Sequence, residues 1–394
     1  MKILVVSHTY IVDLNCEKLR QLSRLQDDIE VAVVVPNRWR PGGVQNRIIE
    51  PVAKKEAHFQ IVPINNFSEN NQGLLTFKPD IINFLKQFKP DIIQVEQGAK
   101  SLGYAQLITL NKVLNLQAKN VFFTWWNLPY KNKFPISLLE KYNLSHTDGL
   151  ISGNQDGVDI LRDRGYKNKA TVLPQLGVDA TLFAPCQQPE LKQELGLDKT
   201  KFTIGFVGRF VPEKGILTLI KSLAKLKDLF WQLLLLGRGD LKSQIVDTAK
   251  ESGIYERLTM VESVPHHEVP RYINLMDTLV LPSETSYKFK TLTAVGWKEQ
   301  FGHVLIEAMA SQVTVIGSDS GEIPNVIGDA GLVFPEGHTE DLSHCLRQLI
   351  EKPHLNRELA MKGYQRAISD YTNEALAAKQ FAFYQQLLDI SSVR

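Results

Sequence analysis

The chain has 394 residues, enough for two domains of ordinary size, and its 43% hydrophobic content is that of a globular protein with sizeable cores. Its 45 basic and 43 acidic residues nearly cancel, which excludes a global field that would attract nucleic acid and leaves only local basic runs to meet phosphate or anionic lipid. Cys16, Cys186 and Cys345 stand far apart with no His or Cys at ligand spacing, so neither a disulfide framework nor a zinc site is expected, and a reducing cytoplasm is the default compartment.

At the N-terminus the apolar run within residues 1–7 is too short for a signal peptide, and no later run reaches about 18 apolar residues. A chain neither exported nor integral is expected. Short β-branched runs then recur with helix-like stretches between them, at 3–6, 31–35, 91–95, 121–123 and 149–152. A second series follows at 203–207, 231–236, 259–261, 278–281 and 313–316. Continuous rather than alternating apolar strands, separated by helices, indicate parallel sheets covered on both faces. The fold class is therefore α/β, with two doubly wound Rossmann-like domains. Turn-rich residues from Thr171 to Pro189 place the boundary at 185, giving a first domain of residues 1–185 and a second of 186–372. The last stretch, 373–394, reads as a helix with Phe381, Tyr384, Leu387 and Leu388 on its apolar side.

In the second series the strand at 203–207 runs into Gly208 and Arg209, then Glu213, Lys214 and Gly215, then a helix from about Ile216. A strand, a glycine turn and a helix expose backbone amides at the carboxyl edge of a parallel sheet, the usual ligand side. Arg209 would add a bidentate fork and Lys214 a point charge, with Glu213 pairing to one of them. Farther on, Glu299 stands in the loop before a helix read at 304–311, and Glu307 lies on that helix. Two carboxylates thus flank a helix N-terminus, which suits phosphate between two polyols. Each motif alone is weak, because a Gly-Arg loop is most often a solvated turn and a helical Glu most often faces water.

Their order is more specific. Gly208-Arg209 with Lys214, then Gly237-Arg238-Gly239, Leu281-Pro282-Ser283, the stretch from Glu299 to Glu307 and Ser318-Asp319-Ser320-Gly321-Glu322 resemble the retaining glycosyltransferases of family 4, which have the GT-B fold. The likeness extends thinly into the first half, through residues 3–10, 89–95 and 172–179. It departs from the family's pattern at the first loop, which has Val12-Asp13-Leu14-Asn15 in place of a glycine pair, and at Trp125-Trp126-Asn127, where a His is usual. Gln312 and Thr314 replace the glycine and proline usual after the helix of Glu307.

The resemblance implies two domains facing a cleft, with the last helix crossing back to the first. It implies that Gly208, Arg209, Lys214, Arg238, Glu299, Phe301, Gly302, His303, Val304 and Glu307 bind a nucleotide diphosphate sugar, with Arg209, Lys214 and Glu299 catalytic. Glu307 would take the ribose hydroxyls and Glu299 those of the sugar. Asn15, Trp126 and Asn127 are the acceptor-side residues it suggests. The expected reaction moves a hexose, with retention, from UDP-glucose or another nucleotide sugar to a saccharide or lipid-linked saccharide, in polysaccharide or glycolipid assembly. No cofactor is expected, and no metal, since there is no Asp-X-Asp element and the two cations supply its charge. A sugar-nucleotide epimerase and a non-catalytic sugar-nucleotide-binding protein are the rival readings, and Glu299 as nucleophile is the rival mechanism.

Three stretches stay open at this level. His266-His267-Glu268, bounded by Pro265 and Pro270, reads as surface polar residues. The stretch with Tyr287, Lys288, Phe289, Lys290 and Trp297 reads as an acceptor-facing lid or as packing. Basic residues beside aromatics, at Arg38-Trp39-Arg40, Lys54-Lys55 and Lys131 and Lys133 near Tyr130 and Phe134, suit peripheral contact at the cytoplasmic membrane face as well as they suit ordinary solvated charge.

Overall fold

The computed structural model describes residues 1–41, 47–290 and 294–389. Two compact units divide the chain, one running from Met1 to Gly177 and taking in the residues from Asn373 on, the other covering Val178–Thr291 and Val295–Thr372.

The first unit is built on β1 (Lys2–Val6), β2 (Glu30–Pro36), β3 (Lys54–Lys55), β4 (Phe59–Ile64), β5 (Ile92–Val95), β6 (Lys119–Thr124), β7 (Gly149–Ser152) and β8 (Lys169–Val172), in the sheet order β3-β4-β2-β1-β5-β6-β7-β8. Every pairing is parallel except β3 with β4. The apolar run of β1 is continuous because both of its faces are covered: Ile3 and Val5 join one core cluster, Leu4 and Val6 the other. Each such side chain contributes about 1.5–3 kcal/mol on burial. The helix Asn373–Leu387 lays Leu376, Tyr384 and Leu387 into the cluster of Ile3 and Val5, while the Tyr384 hydroxyl donates to Gln94 at 2.6 Å.

The second unit contains β9 (Phe202–Val207), β10 (Trp231–Leu236), β11 (Leu258–Val261), β12 (Thr278–Leu281), β13 (Ser286–Lys290), β14 (Val295–Trp297), β15 (Thr314–Ser318) and β16 (Leu332–Phe334). Six of these form a sheet in the order β11-β10-β9-β12-β15-β16, all parallel. Counted within the unit this is the order 3-2-1-4-5-6, in which connections leave in opposite directions from the two central strands. The loops after β9 and β12 therefore open a crevice at the carboxyl edge. Strands β13 and β14 form a separate antiparallel hairpin.

The expected boundary at 185 falls too late. Residues 178–185 are built into the second unit: Phe183 is 2% exposed, Val178 bridges to Thr372, and the Ala184 carbonyl accepts from Asn274 at 3.0 Å. Turn-forming residues mark a bend there, but the bend is packed. The helix read at 304–311 begins one residue earlier, as His303–Ala310. Past its end, Gln312 adopts φ 58°, the left-handed conformation that the glycine usual there would take without cost.

Candidate active site

Lys214 ends a short 3-10 turn, Pro212–Lys214, that follows β9. The residue after it, Gly215, has φ 63°, and a Cβ there would lie 1.8 Å from the Pro282 carbonyl oxygen at the end of β12. Only glycine lets the two loops approach this closely. The approach brings Lys214 to the crevice between β9 and β12, where its ammonium lies 2.5 Å from Glu299 Oε2 and 5.1 Å from the centre of the Trp297 ring. The Ser283 hydroxyl, just past β12 and fully buried, donates to the same carboxylate oxygen at 2.7 Å. Glu299 is only 7% exposed, so its charge is held by a cation and a hydroxyl rather than by water.

The backbone at Glu299 is fixed from a third element. Its carbonyl accepts from the Glu322 amide at 3.3 Å, and its own amide donates to the Ser320 hydroxyl at 3.5 Å. Gly321, at φ 59°, leaves no room for a side chain, since a Cβ would fall 1.8 Å from the Glu299 carbonyl oxygen. Loops after β9, β12 and β15 thus converge on one residue, the first two on its carboxylate and the third on its backbone.

Beyond Glu299, buried Phe301 and Gly302 lead into the helix His303–Ala310, whose N-cap Gly302 brings no capping side chain and whose first turn has no acidic residue. Its N-terminal end carries the partial positive charge of the helix dipole. Phe301 packs against His303 with ring centroids 4.8 Å apart and the planes tilted by 56°. Glu307 stands one turn further along, partly exposed, with His266 Nε2 3.7 Å from its Oε1.

His266 is an exposed residue, as expected, with two neighbours that spacing does not show. Its ring packs edge-on against buried Phe183 at 5.6 Å, and bonding to Glu307 raises its pKa above the ordinary value, against the opposing effect of burial. A raised value means that the pair stabilises the fold below the ordinary histidine pKa and that this contribution is lost as pH rises through the raised one. An NMR titration should place the His266 midpoint above that of a free histidine, and Glu307→Gln should bring it down. A midpoint indifferent to that substitution would show that the pair does not form in solution.

The other expected donor residues are spread over the same carboxyl edge. Gly208 follows β9, and the exposed Arg209 guanidinium lies 3.7 Å from buried Glu213, the pairing expected of that carboxylate. Exposed Arg238 follows β10 and takes the Phe210 amide on its carbonyl at 2.9 Å. Lys214 chooses Glu299 instead of Glu213, and Trp297 and Ser283 join it. Spacing alone does not reveal these two partners, because the hairpin β13–β14 intervenes in sequence before returning Trp297 to Lys214. On that hairpin Tyr287 is 71% exposed, and residues 291–293 lie outside the described residues.

In the first unit the expected acceptor-side residues are tied into local structure. Asn15 donates to the Thr9 carbonyl at 2.9 Å and closes the first loop. Trp126 packs edge-on to Tyr130, with Lys100 over both rings, and Asn127 is 4% exposed. A buried carboxylate that the sequence reading did not single out, Glu96, lies just past β5. It accepts from Tyr10 at 3.0 Å, Gln94 at 2.8 Å and Gln175 at 2.6 Å. Burial pushes its pKa up, while the nearby Lys18 ammonium and these donors pull the other way; burial brings Lys18 down to about 8. Among the described residues no group of three or more His, Cys, Asp and Glu is placed to hold a metal, and no helix is long and apolar enough to cross a membrane.

Known structures share this architecture over nearly the whole chain. Sucrose-phosphate synthase from Thermosynechococcus elongatus superposes with a TM-score of 0.69 over 99% of this chain and 100% of its own, at 19% identity. Anabaena HepE, solved in complex with UDP, does so with 0.70 over 98% and 100%, at 15% identity. The chain has the GT-B fold. Within this GT-B chain, residues 187–366 match the family model for glycosyl transferases group 1, a span that contains every expected donor residue. Among curated relatives, the D-inositol 3-phosphate glycosyltransferase of Stackebrandtia nassauensis is 27% identical over 69% of this chain and 66% of its own length. An α-maltose-1-phosphate synthase of Mycolicibacterium smegmatis is 24% identical over 64% and 66%. The chain spans from 46% to 66% of the length of the curated relatives it matches.

Proposed function

We propose that this GT-B chain is a retaining hexosyltransferase that uses a nucleotide diphosphate sugar, UDP-glucose by preference, and passes the sugar to a saccharide, phosphosugar or lipid-linked saccharide without a metal ion. The observation that carries the reading is the buried Lys214–Glu299 pair, set where the loops after β9 and β12 part and beside the N-terminal end of the helix His303–Ala310. A diphosphate entering there meets the Lys214 ammonium and the positive end of a helix, with exposed Arg209 on the same edge. As the anomeric carbon loses its leaving group, negative charge grows on the β-phosphate, and preorganised cations and amides lower that barrier most.

A front-face route to retention, rather than a double displacement through Glu299, is supported by the state of that carboxylate. Glu299 Oε2 already accepts from Lys214 and Ser283, which suits orienting a sugar hydroxyl better than attacking carbon. The departing phosphate can itself take the acceptor proton on the same face. The donor preference draws on HepE, which has also been solved with UDP-glucose. An acceptor at an anionic membrane surface is supported by Phe134 and Leu138, 80% and 60% exposed, among exposed Lys131, Lys133 and Lys141.

The test is a panel of sugar nucleotides scored for free nucleotide, in excess chelator, with saccharide acceptors offered free and on anionic vesicles. Transfer from UDP-glucose that survives the chelator, with an α-linked product, is the expected result. Activity that chelator abolishes and magnesium restores would refute metal independence. A sugar isomerised without any acceptor would mark an epimerase, and UDP binding with no turnover of any donor would mark a non-catalytic binder.

A further inference from the structure

The Lys214–Glu299 pair poses a mechanical problem. If Lys214 is to hold a diphosphate, its ammonium must turn at least part of its hydrogen bonding from Glu299 to phosphate oxygens, and Glu299 then loses its nearest charged partner. A carboxylate that is 7% exposed does not stay in place by itself when a neighbouring cation is drawn away.

We infer that Ser283 is the positioning residue that keeps the Glu299 carboxylate aimed at the sugar while Lys214 serves the phosphate. Its hydroxyl donates to Glu299 Oε2 at 2.7 Å, the same oxygen that Lys214 contacts, and so remains a partner when the cation shifts. The residue is itself immobile: it is fully buried, follows directly on β12, and its carbonyl accepts from the Ser318 hydroxyl at the end of β15 at 2.6 Å. Two neighbouring central strands therefore fix the donor, while Glu299 sits on a loop. This inference rests on the transferase reading above and adds to it a division of labour between the two partners of one oxygen.

The division makes a specific kinetic signature. Ser283→Ala should lower kcat for release of UDP from UDP-glucose about tenfold or more, since a hydrogen bond to a charged group is lost where orientation matters. UDP affinity, measured by calorimetry, should change less than about twofold, because Lys214 and the helix terminus are untouched. Ser283→Thr, which keeps the hydroxyl, should recover most of the rate. A Ser283→Ala enzyme with wild-type kcat would overturn the inference, and so would equal losses of kcat and UDP affinity accompanied by a lowered melting temperature, which mark a purely structural residue.

Crystal structures of the wild-type chain and of Ser283→Ala with UDP bound, which turns Lys214 to the phosphate, give a reading independent of turnover. Glu299 displaced from its wild-type position, with the β12 and β15 ends unmoved, supports the positioning role; Glu299 unmoved removes it. If the wild-type chain releases nucleotide from no donor in the panel, the transferase reading falls, and this crystallographic arm alone decides what Ser283 does to Glu299.

Discussion

Lys214→Ala should cut donor turnover by about two to three orders of magnitude, the loss typical when a preorganised group that stabilises developing charge is removed. Two effects add in the same direction. The leaving phosphate loses the ammonium, and Glu299, 7% exposed, loses the full positive charge beside it. Lys214→Arg separates the two, because the guanidinium keeps the charge but replaces a compact point charge with a planar fork that must fit beside the Trp297 ring, 5.1 Å from the present ammonium. It should restore UDP affinity more fully than kcat. Single-turnover release of UDP measures both, and a Lys214→Ala chain within threefold of wild type under conditions where chemistry limits the rate would remove this lysine from the mechanism.

Gly321→Ala, like Gly215→Ala, should be among the most damaging single methyls in the second unit. At φ 59° an alanine costs about 1 kcal/mol in backbone conformation, and its Cβ would sit 1.8 Å from the Glu299 carbonyl oxygen, a distance no relaxed structure tolerates. The loop after β15 must move away from Glu299. We expect a loss of about 2–4 kcal/mol in chemical denaturation together with loss of turnover, the pattern of strain at a constrained backbone position. Gly337→Ala is the control: φ there is 75° but nothing lies within 4 Å of the added carbon, so the conformational cost stands alone. Equal destabilisation by the two substitutions would mean that contact with Glu299 contributes nothing.

How far the sequence carries can be seen at particular elements. Strands buried on both faces, such as β1 and β10, announce themselves because all their residues but Lys2 and Gln232 are apolar. Strand β4 alternates between buried and half-exposed positions, and β8 is exposed along much of its length, so neither offers a continuous apolar run. At the site, the glycines and charges were legible as a motif. Their pairing was not: Lys214 and Glu299 are 85 residues apart, and the choice of Glu299 over the adjacent Glu213 depends on how β9 and β12 lie in the sheet. The sequence shows His266 only as a surface polar residue for the same reason, since spacing does not connect it to Glu307.

The helix Asn373–Leu387 has a consequence for how the protein comes into being. The core that holds Ile3 and Val5 is closed by Leu376, Tyr384 and Leu387, which are translated only after the whole of the second unit. The second unit, by contrast, draws its whole sheet from one continuous stretch of sequence between β9 and β16. Synthesis order and folding order are thereby inverted. The first unit must wait, with part of its apolar surface uncovered, until the second unit between its two segments has been translated.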